Sequence, residues 1–135
     1  MNRTGFTLIE LLIVVVIIGI IAAIAIPKFS NTKEKAYIAS MKADLRNLVT
    51  AEEGYFADST AYTDITDCNT PPAPGSVAWC PSSGNAVDRI RLHQGGWTAR
   101  VMNANTAVKC AIYVGGANPL QPARQSDPEA VPVCQ

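Results

Sequence analysis

From residue 6 to residue 26 the chain reads FTLIELLIVVVIIGIIAAIAI, with polar side chains only at Thr7 and Glu10. A helix of this composition has no polar face, so it must be covered by lipid or by other apolar helices. At a rise of about 1.5 Å per residue the run spans about 31 Å, enough to cross a bilayer core. After Pro27 the pattern becomes amphipathic. Tyr37, Met41, Leu45, Leu48 and Tyr55 recur at three- and four-residue steps, and Ile38, Val49 and Phe56 widen the stripe. Lys33, Lys35, Lys42, Asp44, Arg46 and Glu53 fall largely away from it. One continuous helix to about Ala57 is predicted, kinked near residues 23–27 by Pro27 and weakened at Gly19.

Residues 58–84 read as loop, with Pro71, Pro72, Pro74, Gly75, Pro81 and Gly84 among Ser and Thr. Three alternating stretches follow at residues 87–93, 96–103 and 108–114, joined by connectors that suit hairpins. The segment after residue 115 is rich in Gly and Pro and becomes ordered only if Cys134 ties it back. The expected fold class is α+β, a long N-terminal helix whose amphipathic half packs on a small antiparallel sheet. The chain divides into a leader (1–5), an apolar helix half (6–27), an amphipathic half (28–57) and a stapled head (58–135). The sheet lies at about 87–114.

Composition narrows the function. A chain of 135 residues with zero formal net charge holds one domain and no large basic face. Arg89, Arg91 and Arg100 form at most a small solvated patch, so nucleic acid is not an indicated partner. There is no phosphate-cradling glycine loop and no Ser-His-Asp or Cys-His set, so no enzyme is expected. His93 reads as the end of a strand. Asp58, Asp64 and Asp67 match no EF-hand spacing and read as turn residues, so no metal and no cofactor are expected. Cys68, Cys80, Cys110 and Cys134 lack zinc-like spacing and read as two disulfides of a translocated domain. Three pairings are open. Cys68–Cys80 and Cys110–Cys134 are favoured because sequential loops close most easily, each contributing about 3 kcal/mol.

Glu10 is the position that bulk composition does not explain. A carboxylate in a bilayer core costs about 2.5–3.5 kcal/mol, which marks it as functional and in need of a partner. The leader MNRTG ends in a small–large junction, Gly5-Phe6. Cleavage there would place a new α-amine about one helical turn from Glu10. Two plainer readings compete. A secretory signal cut at Ala23-Ile24-Ala25 is opposed by the length of the run and by Glu10. A simple membrane anchor leaves Glu10 without a purpose.

The string Gly5-Phe6-Thr7-Leu8-Ile9-Glu10, followed by the apolar run, resembles the prepilin signature of type IV pilins and pseudopilins. The likeness extends through Gly19 and Pro27 to roughly Tyr62. It implies leader cleavage after Gly5 by a prepilin peptidase and N-methylation of Phe6. It also implies polymerisation with copies of itself by an inner-membrane platform and its cytoplasmic ATPase. Glu10, with Thr7 beside it, would neutralise the Phe6 amine of a neighbouring subunit, and the helix between Gly19 and Pro27 would tolerate melting in the filament. A Cys110–Cys134 loop is similar to the C-terminal disulfide loop of type IVa pilins. The resemblance fits a pilin or a pseudopilin of a secretion or DNA-uptake apparatus, and the cysteine-rich head leans to the pilin. The precursor is expected in the inner membrane, N-in and C-out because the cysteines want an oxidising compartment, and the mature subunit on the cell surface.

Overall fold

The computed structural model describes residues 5–135; Met1, Asn2, Arg3 and Thr4, most of the expected leader, lie outside the described residues. A single helix, α1 (Leu8–Ser59), runs unbroken through Gly19 and Pro27. It begins two residues into the apolar run and ends two residues beyond the predicted Ala57. The chain falls into two compact units, one ending at Glu34 and the other Lys35–Gln135.

In the second unit the last turns of α1 pack on a four-stranded antiparallel sheet. Its strands are β3 (Asn85–His93), β4 (Gly96–Asn103), β5 (Lys109–Gly115) and β6 (Val133–Cys134), side by side in that order. The loop before them contributes a short parallel pair, β1 (Thr66–Asp67) with β2 (Val77–Ala78). Met41, Leu45 and Leu48, three stripe residues of α1, meet Trp97, Ala99 and Val101 of β4 and Cys110, Ile112 and Val114 of β5. Burying each large side chain contributes about 1.5–3 kcal/mol, so this interface is the main source of the unit's stability. Phe56, by contrast, stays partly exposed and stacks on Tyr62 at 4.7 Å between ring centroids.

The opposite face of the sheet is covered too. Ala111 and Tyr113 of β5 pack with Ala117, Leu120 and Ala123 from the chain beyond the sheet. Thr98, fully buried, joins the layers: its hydroxyl donates to the Ile112 carbonyl at 2.8 Å and accepts from the Leu120 N–H at 3.1 Å. Gly96 and Gly115 allow the first β4–β5 pair to close up. A Cβ on Gly96 would lie 2.0 Å from the Val114 carbonyl oxygen, and Gly115, at φ +65°, would clash equally with Gly95.

Four expectations need correction. The first strand begins at Asn85 rather than residue 87, and its register shifts between Val87 and Arg89 at a bulge. The third strand runs one residue later than expected, Lys109–Gly115, and the sheet gains β6. The loop at 58–84 is not wholly irregular, because β1 and β2 lie inside it. Two-residue strands leave no alternation to read. Asp44 does not face solvent: it is 2% exposed and hydrogen-bonded into the sheet side.

The disulfides join Cys68 to Cys80 and Cys110 to Cys134. The second links directly opposed residues of β5 and β6, flanked by reciprocal Lys109 and Gln135 backbone bonds at 3.0 Å. Because β6 has only two residues, the covalent bond holds most of its register. Closing this loop, with a sequence separation of 24 residues, constrains the unfolded chain by about 3 kcal/mol. The paired substitution Cys110→Ser with Cys134→Ser should lower stability in urea by about that amount. Hydrogen exchange should rise first at residues 133–135.

Candidate functional site: the capped start of the apolar helix

Thr7 is the last residue before α1 and Glu10 is the third within it, the spacing of a capping box. Glu10 Oε2 accepts from the Thr7 N–H at 2.8 Å and from the Thr7 hydroxyl at 2.7 Å. In return the Glu10 N–H donates to Thr7 Oγ1 at 3.3 Å. The Thr7 carbonyl takes the first helical bond, from the Leu11 N–H at 3.3 Å. Helix N-termini leave N–H groups without partners and favour negative charge, so this carboxylate serves where the backbone needs one.

The partner anticipated for Glu10 was the Phe6 amine. In the uncleaved chain the Phe6 nitrogen is a peptide N–H, and the carboxylate instead rests on Thr7, one residue along. Sequence reasoning named Thr7 but missed this contact, although the Thr-x-x-Glu string before an apolar run signals it. Gly5 and Phe6 precede the helix in exposed chain without regular structure, Phe6 at 81% exposure. An exposed small–large junction is open to a peptidase.

Below the cap the apolar run is exposed among the described residues. Leu8 is 88% exposed, and every large side chain from Leu11 to Ile26 is open to its surroundings. The helix is long and apolar enough to cross a membrane. The exposed aliphatic surface greatly exceeds the few hundred Å² that soluble monomers tolerate, so this unit requires lipid or other chains. At its polar end the Lys33 ammonium lies 4.7 Å from the Phe29 ring centroid, a local cation–π contact.

The other residues considered from sequence are not gathered into a second site. Asp67 organises its loop: its carboxylate accepts from the Ala73 N–H at 2.7 Å and the Asn69 N–H at 3.0 Å. The Ala73 bond, then the Asn69 bond, hold its carboxyl below the usual carboxylate range. No three metal-ligating side chains converge among the described residues. Arg100 is paired with Asp88, and this hydrogen bond holds the Asp88 carboxyl low. His93 ends β3 opposite Gly96.

Comparison with known proteins places this arrangement. The family model described as the prokaryotic N-terminal methylation motif matches residues 1–26. The type IV wide pilus major component PilA4 of Thermus thermophilus is 35% identical over 120 residues, covering 79% of this chain and 92% of that protein. The type IV major pilin protein PilA of Myxococcus xanthus is 40% identical over 84 residues, 62% of this chain but only 34% of that protein. The type II secretion system core protein G of Pseudomonas aeruginosa is 38% identical over 61 residues, 45% of this chain and 43% of that protein. The chain thus spans about a third of the Myxococcus protein and less than half of the secretion protein. No solved structure matches it significantly. The match to the Thermus pilin covers four-fifths of this chain and nine-tenths of that protein, and on that ground the chain belongs to the type IV pilin family.

Proposed function

We propose that this chain is a structural subunit that polymerises into a type IV pilus through its apolar helix. The observation that carries the reading is an uncovered apolar helix with a single carboxylate held at its start. Lipid satisfies the aliphatic surface of the precursor, and the helices of neighbouring copies satisfy it in a filament. Leader cleavage between Gly5 and Phe6 creates a terminal ammonium, and N-methylation of Phe6 preserves its positive charge. Glu10 of one subunit then exchanges its Thr7 contact for the ammonium of an axially shifted neighbour, removing two charges from an apolar interior. Thr7 hands the carboxylate over and Gly19 to Pro27 supplies the stretch that can loosen.

The division of labour follows the notional segments 1–5, 6–27, 28–57 and 58–135: leader, filament core, amphipathic link and stapled head. The partners are further copies of the chain, a prepilin peptidase, an inner-membrane platform with its ATPase and, before assembly, lipid. The precursor lies N-in and C-out and the product at the cell surface. The protein has no catalytic role. Similarity to a major pilin that covers 79% of this chain, against 45–62% for secretion core proteins G, supports a pilus over a secretion pseudopilus.

Mass spectrometry of unreduced material sheared from cells, run beside the membrane fraction, tests this. The expected sheared species begins at methylated Phe6 with all four cysteines oxidised. Mature protein confined to the membrane fraction would favour the pseudopilin. Retained Met1 would favour a simple anchor, and a start at Ile26 would sink the pilin reading.

A further inference from the structure

Glu52, on the helix of the second unit, has no exposed surface. Its Oε2 accepts from the Thr63 N–H at 3.3 Å, while its Oε1 has no hydrogen-bond partner. Thr63 is the centre of the segment that leaves the helix. Its hydroxyl donates to the Gly75 carbonyl at 2.8 Å and accepts from the Ile65 N–H at 3.2 Å. Ile65 in turn accepts from the Val77 N–H at 2.9 Å, where β2 begins to pair. Glu52 therefore connects the buried helix face to the backbone that leads into β1 and the Cys68–Cys80 loop.

The charged groups acting on Glu52 are Asp64 from that segment and Glu53 from its own helix. Both repel an anion. Tyr62, whose hydroxyl donates to Glu53 at 3.0 Å, lies in the same field, together with Glu129 from the C-terminal segment. A buried carboxylate whose charged influences, Asp64 and Glu53, are both acidic, with one oxygen unpartnered, is far cheaper to hold as the neutral acid.

We propose that Glu52 is a proton-operated latch, holding residues 60–65 against the helix while protonated and releasing them when it ionises. Burial pushes its carboxyl up to about 7; the Thr63 N–H opposes this weakly, and Asp64 and Glu53 add to it. A folded-state value above the ordinary 4.5 means that the protonated latch stabilises fully below that ordinary value. The stabilisation is lost as pH rises to and through the raised value. Loss therefore begins near the ordinary 4.5 and is complete just above the raised value, and it loosens the route into the disulfide loop. The latch is independent of whether the chain forms filaments.

The test compares the full chain in detergent micelles with its Glu52→Gln variant by hydrogen exchange, corrected for intrinsic pH dependence. Protection of the Thr63 and Ile65 amides in the parent should fall about tenfold between about pH 6 and 8. The variant, which keeps the neutral shape, should stay flat. Parallel profiles, or equal loss of protection at every pH in the variant, would make Glu52 a packing residue and overturn the latch. If the variant does not fold, carbon-detected titration of the parent's Glu52 carboxyl decides: a midpoint near neutrality supports the proposal, and one in the ordinary carboxylate range rejects it.

Discussion

Asp44→Ala is expected to remove about 3–5 kcal/mol from the stability of the sheet-bearing unit. Asp44 is 2% exposed and takes three hydrogen bonds from the chain that enters β3. The Ser82 N–H donates at 2.8 Å, the Ser82 hydroxyl at 2.6 Å, and the Asn85 side-chain amide at 2.6 Å. The same Asn85 amide donates to the Ser40 hydroxyl at 2.9 Å, and Asn85 Oδ1 accepts from Asn103 at 2.6 Å. Asn103 in turn receives the Asn105 N–H at 2.9 Å and shapes the turn before β5. One carboxylate thus fastens α1, the start of β3 and the end of β4.

Removing it strips the buried Asn85 amide of its charged acceptor, at about 1–3 kcal/mol, and leaves the two Ser82 donors, on an exposed residue, to water. A small domain has only about 5–15 kcal/mol to lose, so the variant should be partly unfolded in mild urea. Asp44→Asn keeps the shape and one acceptor oxygen but turns an N–H towards existing donors; about 1–2 kcal/mol is the expected cost. Urea unfolding of the full chain in micelles, followed by tryptophan fluorescence, measures both. A loss below about 1 kcal/mol for the alanine variant would mean that water replaces the carboxylate.

Asp44 also shows where sequence reasoning stopped. The apolar stripe identified Met41, Leu45 and Leu48 correctly, because burial of aliphatic residues leaves a 3.6-residue rhythm. Alternation likewise separated Trp97, Ala99 and Val101 from Thr98 and Arg100 on the neighbouring face. A buried acid leaves no such trace. Asp44 sits beside Leu45 at the edge of the stripe, and its partners Ser82 and Asn85 lie 38 and 41 residues away. Glu52 was overlooked for the same reason. β6 exists because Cys134 is bonded opposite Cys110, a tertiary fact carried by two residues. At the helix start, by contrast, the information is local: Thr7 and Glu10 stand three apart, and their contact could have been read directly.

Glu10→Ala should leave a processed subunit in the membrane and abolish recoverable filaments. Two effects of the substitution differ greatly in size. Losing the capping contact to Thr7 loosens only the first turn, which a long lipid-embedded helix tolerates. In the proposed filament, losing the neutralising partner would leave a neighbour's ammonium unpaired in an apolar interior, at about 3–5 kcal/mol for each added subunit. At 1.4 kcal/mol per factor of ten, that would disfavour each addition by about 10²- to 4 × 10³-fold. Polymerisation multiplies the penalty along the filament, so the phenotype is absence rather than shortening. Thr7→Val separates the two effects. It removes the hydroxyl bond to Glu10 but keeps the N–H and the carboxylate, and filaments should persist at reduced yield. Quantifying sheared and membrane fractions, with mass spectrometry to verify that each mature chain begins at Phe6, measures all three proteins. Filaments at parental yield from Glu10→Ala would confine the carboxylate to capping its own helix, and the intersubunit pairing would have to be abandoned.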